Sequence, residues 1–157
     1  LIETPLGLAN VRQIACAKQV IALMFGTIDF QLEMNMNGGY LELLSFRNEF
    51  VLASKLAGIQ APIDGVTVDF KDEAMIQLET QQAKNLGFAG KLCIHPHQVD
   101  IVNQIFSPTT VEIDWANRVL NVVKQANGQA VSLDGKMIDL PVILRAERIL
   151  QHIDFNQ

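Results

Sequence analysis

The sequence predicts an α/β protein in which short parallel strands alternate with amphipathic helices, followed by a C-terminal appendage of helices and one β-hairpin. Three observations carry this expectation. Four short apolar runs recur, Leu1 to Glu3, Val20 to Phe25, Ile63 to Val68 and Lys91 to Ile94. Segments with helical spacing lie between them, and that alternation favours parallel strands joined by right-handed crossovers. After His95 the alternation stops, and only helical patterns and an Asp134-Gly135 turn signal follow.

The elements follow in order. The first run ends in a carboxylate, Glu3, after which Thr4-Pro5-Leu6-Gly7 reads as a turn leading the chain away. The second run, VIALMF, leads through FGTI to Asp29. Around SFRNEFVLASKLAG, the apolar positions Leu43, Phe46, Phe50, Ala53 and Ala57 step by three and four, and Gly58 supplies a left-handed stop. In KDEAMIQLETQQAKNLG, acids occupy the first turn, Met75, Leu78, Ala83 and Leu86 form the expected apolar stripe, and Gly87 ends the helix. Two further helices are expected in PHQVDIVNQIF and VEIDWANRVLNVVKQANG, the latter with Ile113, Ala116, Leu120 and Val123 on one stripe and Gly128 closing it. QAVSLDGKMID reads as a hairpin about Asp134-Gly135. A last helix is expected from Pro141, burying Val142, Ala146, Ile149 and Ile153.

Composition limits what the chain does. With 157 residues, 49% of them hydrophobic, it can build a sizeable core. A net charge of -5, with 12 scattered Lys and Arg, argues against nucleic acid as a partner, because phosphate binding needs clustered cations. No apolar run approaches the roughly 20 residues of a membrane helix, so no membrane association is expected. Cys16 and Cys93 stand apart in apolar contexts, without a C-x-x-C spacing, and read as reduced core residues of a cytoplasmic protein.

Each apolar run ends in, or runs into, a polar group: Glu3, Asp29, Asp69 and His95. In a parallel sheet the carboxyl ends of the strands share one edge, where α/β proteins place their sites. Glu3 and Asp29, on successive strands and without a basic partner nearby in sequence, form the sharpest pair. Two such carboxylates repel unless a proton or cation lies between them, and hard oxygen donors in that number suit Mg²⁺. The plainer alternative is that each is a helix cap or a solvated loop acid. For Asp69, standing with Asp72 ahead of a helix, capping is the expected role. His95 and His97 are expected to be one packed and one solvated ring rather than a metal pair. Met24, Met34, Met36 and Met75 read as core or loop filling, Trp115 as packing, and Asp139 as a possible cap of the last helix.

Five stretches, IETPLG, FGTIDF, LGFAGKLCIHPHQV, FSP followed by a helix containing WA, and LDGKMIDLP, stand in order along the chain. Together they resemble the C-terminal half of the citrate lyase beta subunit and malyl-CoA lyase family, the CoA ester lyases of HpcH/HpaI type, from residue 1 to about residue 150. The resemblance implies the C-terminal half of a (β/α)8 TIM barrel, four βα units over residues 1–106, followed by a helix, hairpin and helix extension over residues 107–157 that packs on a neighbouring subunit. It implies a Mg²⁺-dependent lyase that cleaves or forms β-hydroxyacyl-CoA thioesters, with Glu3 and Asp29 as metal ligands and Asp139, reaching into the neighbouring subunit's site, as the catalytic acid or base. Acyl-CoA thioester or keto acid is the implied substrate, and a homo-oligomer, a trimer or hexamer, the implied assembly. The family's first four βα units, with the arginine that grips the substrate carboxylate, have no counterpart here. A fragment of a longer parent, inactive alone, is therefore expected. Two alternatives stand beside this: a non-catalytic assembly subunit of the same fold, and a free-standing flavodoxin-like domain, for which TPLG makes a poor phosphate loop.

Overall fold

The computed structural model describes residues 1–126 and 131–154, with side chains through residue 151. Gly128, the start of the expected hairpin at Gln129 and Ala130, and the side chain of Ile153 lie outside the described residues. The chain divides into two compact units, Leu1–Phe106 and Ser107–Gln157.

In the first unit four extended segments pair in parallel, in the order in which they occur along the chain. Ile2 pairs with Phe25, Met24 with Ile63, and strand β1 (Ile63–Asp64) with strand β2 (Gly90–Lys91). The Ile2 amide donates to the Met24 carbonyl at 2.8 Å, and the Gly26 amide donates to the Ile2 carbonyl at 2.8 Å. The paired stretches are shorter than the apolar runs, for a physical reason. Beyond Asp64, side chains take over the backbone groups that a ladder would use. Lys91 Nζ donates to the Gly65 carbonyl at 2.8 Å and Gln98 Nε2 to the Thr67 carbonyl at 2.8 Å. Gln98 Oε1 accepts from the amides of Ile94 and His95 at 2.8 and 3.2 Å, which ends β2 early.

Helices connect these segments. The TPLG stretch is not a simple turn: Thr4 caps helix α1 (Pro5–Ala9), its side chain accepting from the Gly7 amide, with Pro5 in the first turn. Helices α2 (Val11–Ala15) and α3 (Thr27–Glu33) are short, whereas α4 (Leu44–Ala57) and α5 (Glu73–Leu86) end on Gly58 and Gly87 with φ of 69° and 101°, as their sequences indicate. Helix α6 spans Pro96–Phe106. Leu43, Phe50 and Ala53 enter the core beside Phe25, Phe30 and Val11, and Phe25 stacks on Phe50 with centroids 4.5 Å apart.

Three expectations need correction. Met75 and Leu78 of α5 are 42% and 53% exposed, and the buried stripe is Ile76, Thr80 and Ala83. A threonine hides this stripe from a hydropathy reading, because its hydroxyl is satisfied locally by the Ile76 carbonyl at 2.6 Å. Cys16 and Cys93 are free thiols but exposed, Cys16 just past the end of α2 and Cys93 two residues beyond β2. Of the methionines, Met36 packs against the core, whereas Met24, Met34 and Met75 are exposed.

The second unit holds helix α7 (Thr110–Gln125), a hairpin of β3 (Val131–Leu133) and β4 (Lys136–Ile138), and helix α8 (Leu140–Asp154). Asp134 and Gly135 take positive φ, 52° and 76°, which matches the right-handed twist of the antiparallel strands. A capping box joins Thr109 and Glu112 at the start of α7. Ala116, Val119, Ile138 and Ala146 form the core, against which Trp115, Leu120, Val123, Val142 and Ile149 pack. Arg145 lies over the Trp115 ring at 5.2 Å. Among the described residues, no helix is long and apolar enough to cross a membrane.

Candidate functional site

The first two parallel segments bring Glu3 against the start of α3. Glu3 follows the Ile2 bridge and is half-buried; Gly26 follows the Phe25 bridge and stands at the N-terminal boundary of α3. A Cβ placed on Gly26 would lie 2.5 Å from Glu3 Cβ and 3.0 Å from Glu3 Oε2. The carboxylate of Glu3 thus rests over a position that only glycine can occupy.

Asp29 is displaced from the strand end where the sequence suggested it. It lies in the first turn of α3 and is exposed, a position at which a carboxylate also favours the helix dipole. Neither Glu3 nor Asp29 has a hydrogen-bond donor or cation as partner among the described residues. No group of three or more His, Cys, Asp and Glu side chains poised for a metal occurs among those residues. The two acids are therefore one carboxylate at a strand end, packed against Gly26, and one in the first turn of the helix that follows the neighbouring segment. That fits Mg²⁺, which takes one or two protein carboxylates and fills its remaining positions with water and substrate oxygens.

Asp139 belongs to the second unit. Its Oδ1 accepts from the Val142 amide at 3.3 Å and its carbonyl accepts from the Ile143 amide at 3.1 Å, the contacts of a residue capping α8. It is exposed.

The remaining candidates hold structural positions. Asp72 caps α5 by accepting from the Met75 amide at 3.0 Å, whereas Asp69 closes a tight turn by accepting from the Lys71 amide. His95 stacks on Phe70 with centroids 4.4 Å apart, and His97 Nε2 meets Glu73 Oε1 at 3.0 Å. The two rings are engaged with different partners rather than turned toward a shared ion.

Sequence reasoning missed a buried charge network directly behind this edge. Asp64, wholly buried at the end of β1, accepts from Arg47 Nε at 2.8 Å, and Lys91 Nζ stands 3.7 Å from its second oxygen. Lys91 also lies 3.5 Å from Glu79, whose carboxylate accepts from the Thr67 hydroxyl. The signal was available: Arg47 interrupts the apolar stripe of α4, while Asp64 and Lys91 sit inside apolar runs. Buried charges are tolerated only when paired in this manner. Arg47 also lies over the Tyr40 ring at 4.2 Å, beside a cleft of about 230 Å³ lined by Thr27, Gln31, Tyr40, Arg47, Asp69 and Glu79 among others. Burial pushes the Tyr40 phenol up to about 12; Arg47 opposes that rise, and Asp64 and Glu79 add to it.

The sequence model for HpcH/HpaI aldolase/citrate lyase matches residues 1–96. This chain belongs to the HpcH/HpaI aldolase/citrate lyase family. The matched region contains Glu3, Asp29 and the Asp64 network. Among curated members, the citrate lyase subunit beta of Escherichia coli K12 is 37% identical over 99% of this chain and 53% of its own length. The mitochondrial citramalyl-CoA lyase of Rattus norvegicus is 32% identical over 95% of this chain and 48% of its own length. The crystal structure of CitE from Mycobacterium tuberculosis, in complex with magnesium, acetoacetate and coenzyme A, superposes with a TM-score of 0.81 at 27% identity, over 94% of this chain and 57% of that one. The chain spans about half the length of the curated family members it matches.

Proposed function

We propose that this chain is the C-terminal half of a Mg²⁺-dependent CoA-ester lyase, one that cleaves or forms a β-hydroxyacyl thioester such as citryl-, citramalyl- or malyl-CoA. The observation that carries the reading is Glu3 seated over Gly26, with Asp29 in the first turn of the helix that Gly26 opens and no cationic partner for either acid among the described residues. The four parallel segments, neighbours in chain order, support a half of a (β/α)8 barrel for residues 1–106. Residues 107–157 would then be the extension that packs on a neighbouring subunit of a cytoplasmic trimer or hexamer.

Glu3 and Asp29 would hold the ion. Bound there, Mg²⁺ supplies a Lewis acid and a template for substrate carboxylate and hydroxyl oxygens. In cleavage, the bond between the thioester α-carbon and the carbinol carbon breaks with its electron pair passing to the α-carbon, the hydroxyl proton passes to water as the keto group forms, and the α-carbon takes up a proton. Asp139, reaching in from a neighbouring subunit, in its acid form donates that proton; in the synthetic direction its carboxylate removes it. Its Oδ1 is engaged by the Val142 amide, which fixes the side chain and leaves Oδ2 for this transfer.

Magnesium titration calorimetry on the full-length protein tests the site. Glu3→Ala with Asp29→Ala should abolish binding, and a variant that binds as the wild type does would sink the assignment. A second reading, a non-catalytic assembly subunit of the same fold, is favoured by the exposed apolar side chains at Leu1 and Ile94 beside the outer parallel segments. Turnover of any member of a CoA-thioester panel, lost in Asp139→Asn, decides for the lyase.

A further inference from the structure

Five of the glycines separate into two kinds. Gly58, Gly87 and Gly135 have positive φ, which itself explains a glycine there. Gly26 and Gly65 do not have positive φ, yet each lies where a Cβ has no room. A Cβ on Gly26 would strike Glu3. On Gly65 it would stand 2.3 Å from Thr27 Oγ1, 2.4 Å from Thr27 Cγ2 and 2.9 Å from Thr27 Cβ. Thr27 is the first residue of α3, the helix that carries Asp29 two positions later. It is 3% exposed, and its hydroxyl has no hydrogen-bond partner among the described residues.

From this geometry we infer that Gly65 and Thr27 are positioning residues for the cation site: the Thr27 side chain, seated on Gly65, sets where α3 begins and so holds Asp29 in register with Glu3. The inference rests on the reading of Glu3 and Asp29 as ligands. The seat is itself anchored. Gly65 follows Asp64, which is held by Arg47 and flanked by Lys91, and the Gly65 carbonyl accepts from Lys91 Nζ. The buried charges thereby fix the floor on which Thr27 rests. An unpartnered buried hydroxyl contributes nothing that a methyl would not, so what matters at residue 27 is a branched side chain that fills the seat. Ligand placement is sensitive to such supports: disturbing groups that orient metal ligands costs about 10- to 100-fold in metal affinity.

The test measures Mg²⁺ affinity by calorimetry on the full-length protein, with thermal unfolding followed by circular dichroism as a check on folding. Gly65→Ala should weaken binding by about tenfold or more. Thr27→Val should bind as the wild type does, because it keeps the shape. Thr27→Ala empties the seat without a clash and should also weaken binding, which keeps the proposal testable if Gly65→Ala fails to fold. Wild-type affinity in folded Gly65→Ala or in Thr27→Ala overturns the proposal, as does loss of binding in Thr27→Val, which would make the hydroxyl a ligand. Glu3→Gln is the separate control: if it retains full affinity, the reading of Glu3 itself has failed.

Discussion

Replacing Arg47 by Met tests the buried network most directly. Arg47 is 3% exposed and its Nε donates to Asp64 Oδ1 at 2.8 Å, while Asp64 is wholly buried and its second oxygen has no hydrogen-bond donor among the described residues. Without Arg47, the remaining cation is Lys91 at 3.7 Å, which also serves Glu79 at 3.5 Å. Breaking a buried pair from one side costs about 3–5 kcal/mol, since an under-compensated charge stays in the interior. For a chain of this size that corresponds to a fall in Tm of roughly 6–20 °C, at about 2–4 °C per kcal/mol. Urea and thermal denaturation followed by far-ultraviolet circular dichroism would measure it. Adding Asp64→Asn to Arg47→Met should recover part of the loss by removing the stranded charge. A single substitution costing under about 1 kcal/mol, or a double variant no more stable than the single, would show that the carboxylate is not held by Arg47 in this way.

Other outcomes follow from the same structure. The chain has one tyrosine, so phenolate absorbance reads Tyr40 alone, and its midpoint should lie at about 12 rather than at 10. Because the folded state favours the neutral phenol, the stabilisation is complete below pH 10 and is lost as pH rises through about 12; Tyr40→Phe should remove that alkaline contribution. Asp139→Asn should keep the cap of α8, with a stability change under about 0.5 kcal/mol, yet abolish turnover, whereas Asp139→Ala should lose about 1 kcal/mol as well. Equal activity of Asp139→Asn and wild type would reduce Asp139 to a cap. Gly135→Ala places a side chain at φ of 76° in the hairpin turn and should destabilise the second unit by about 1 kcal/mol, read from Trp115 fluorescence on denaturation.

Local chemistry was legible where one residue type has one physical job. Gly58 and Gly87 end their helices, Asp72 caps α5, and Asp134-Gly135 turns the hairpin, because each meets a backbone demand within a few residues of itself. The family was legible for a similar reason: five short motifs in order are a local record. Reading by hydropathy failed where a polar residue does a core residue's work. Thr80 carries the buried face of α5 that Met75 and Leu78 were expected to form, and Gln98 and Lys91 end the strands that their apolar runs seemed to extend.

The sequence by itself determined the alternation of parallel segments and helices, the ends of α4 and α5 at Gly58 and Gly87, the hairpin turn and the family, since all of these depend on spacing and on the chemistry of near neighbours. Only the tertiary structure decided that Gly26 lies beneath Glu3, that Gly65 lies beneath Thr27, and that Arg47 and Lys91 converge on Asp64. Those contacts join residues many positions apart through close packing and charge pairing in a dry interior, where a missing methyl group or an opposite charge acquires meaning only once its neighbour across the fold is in place.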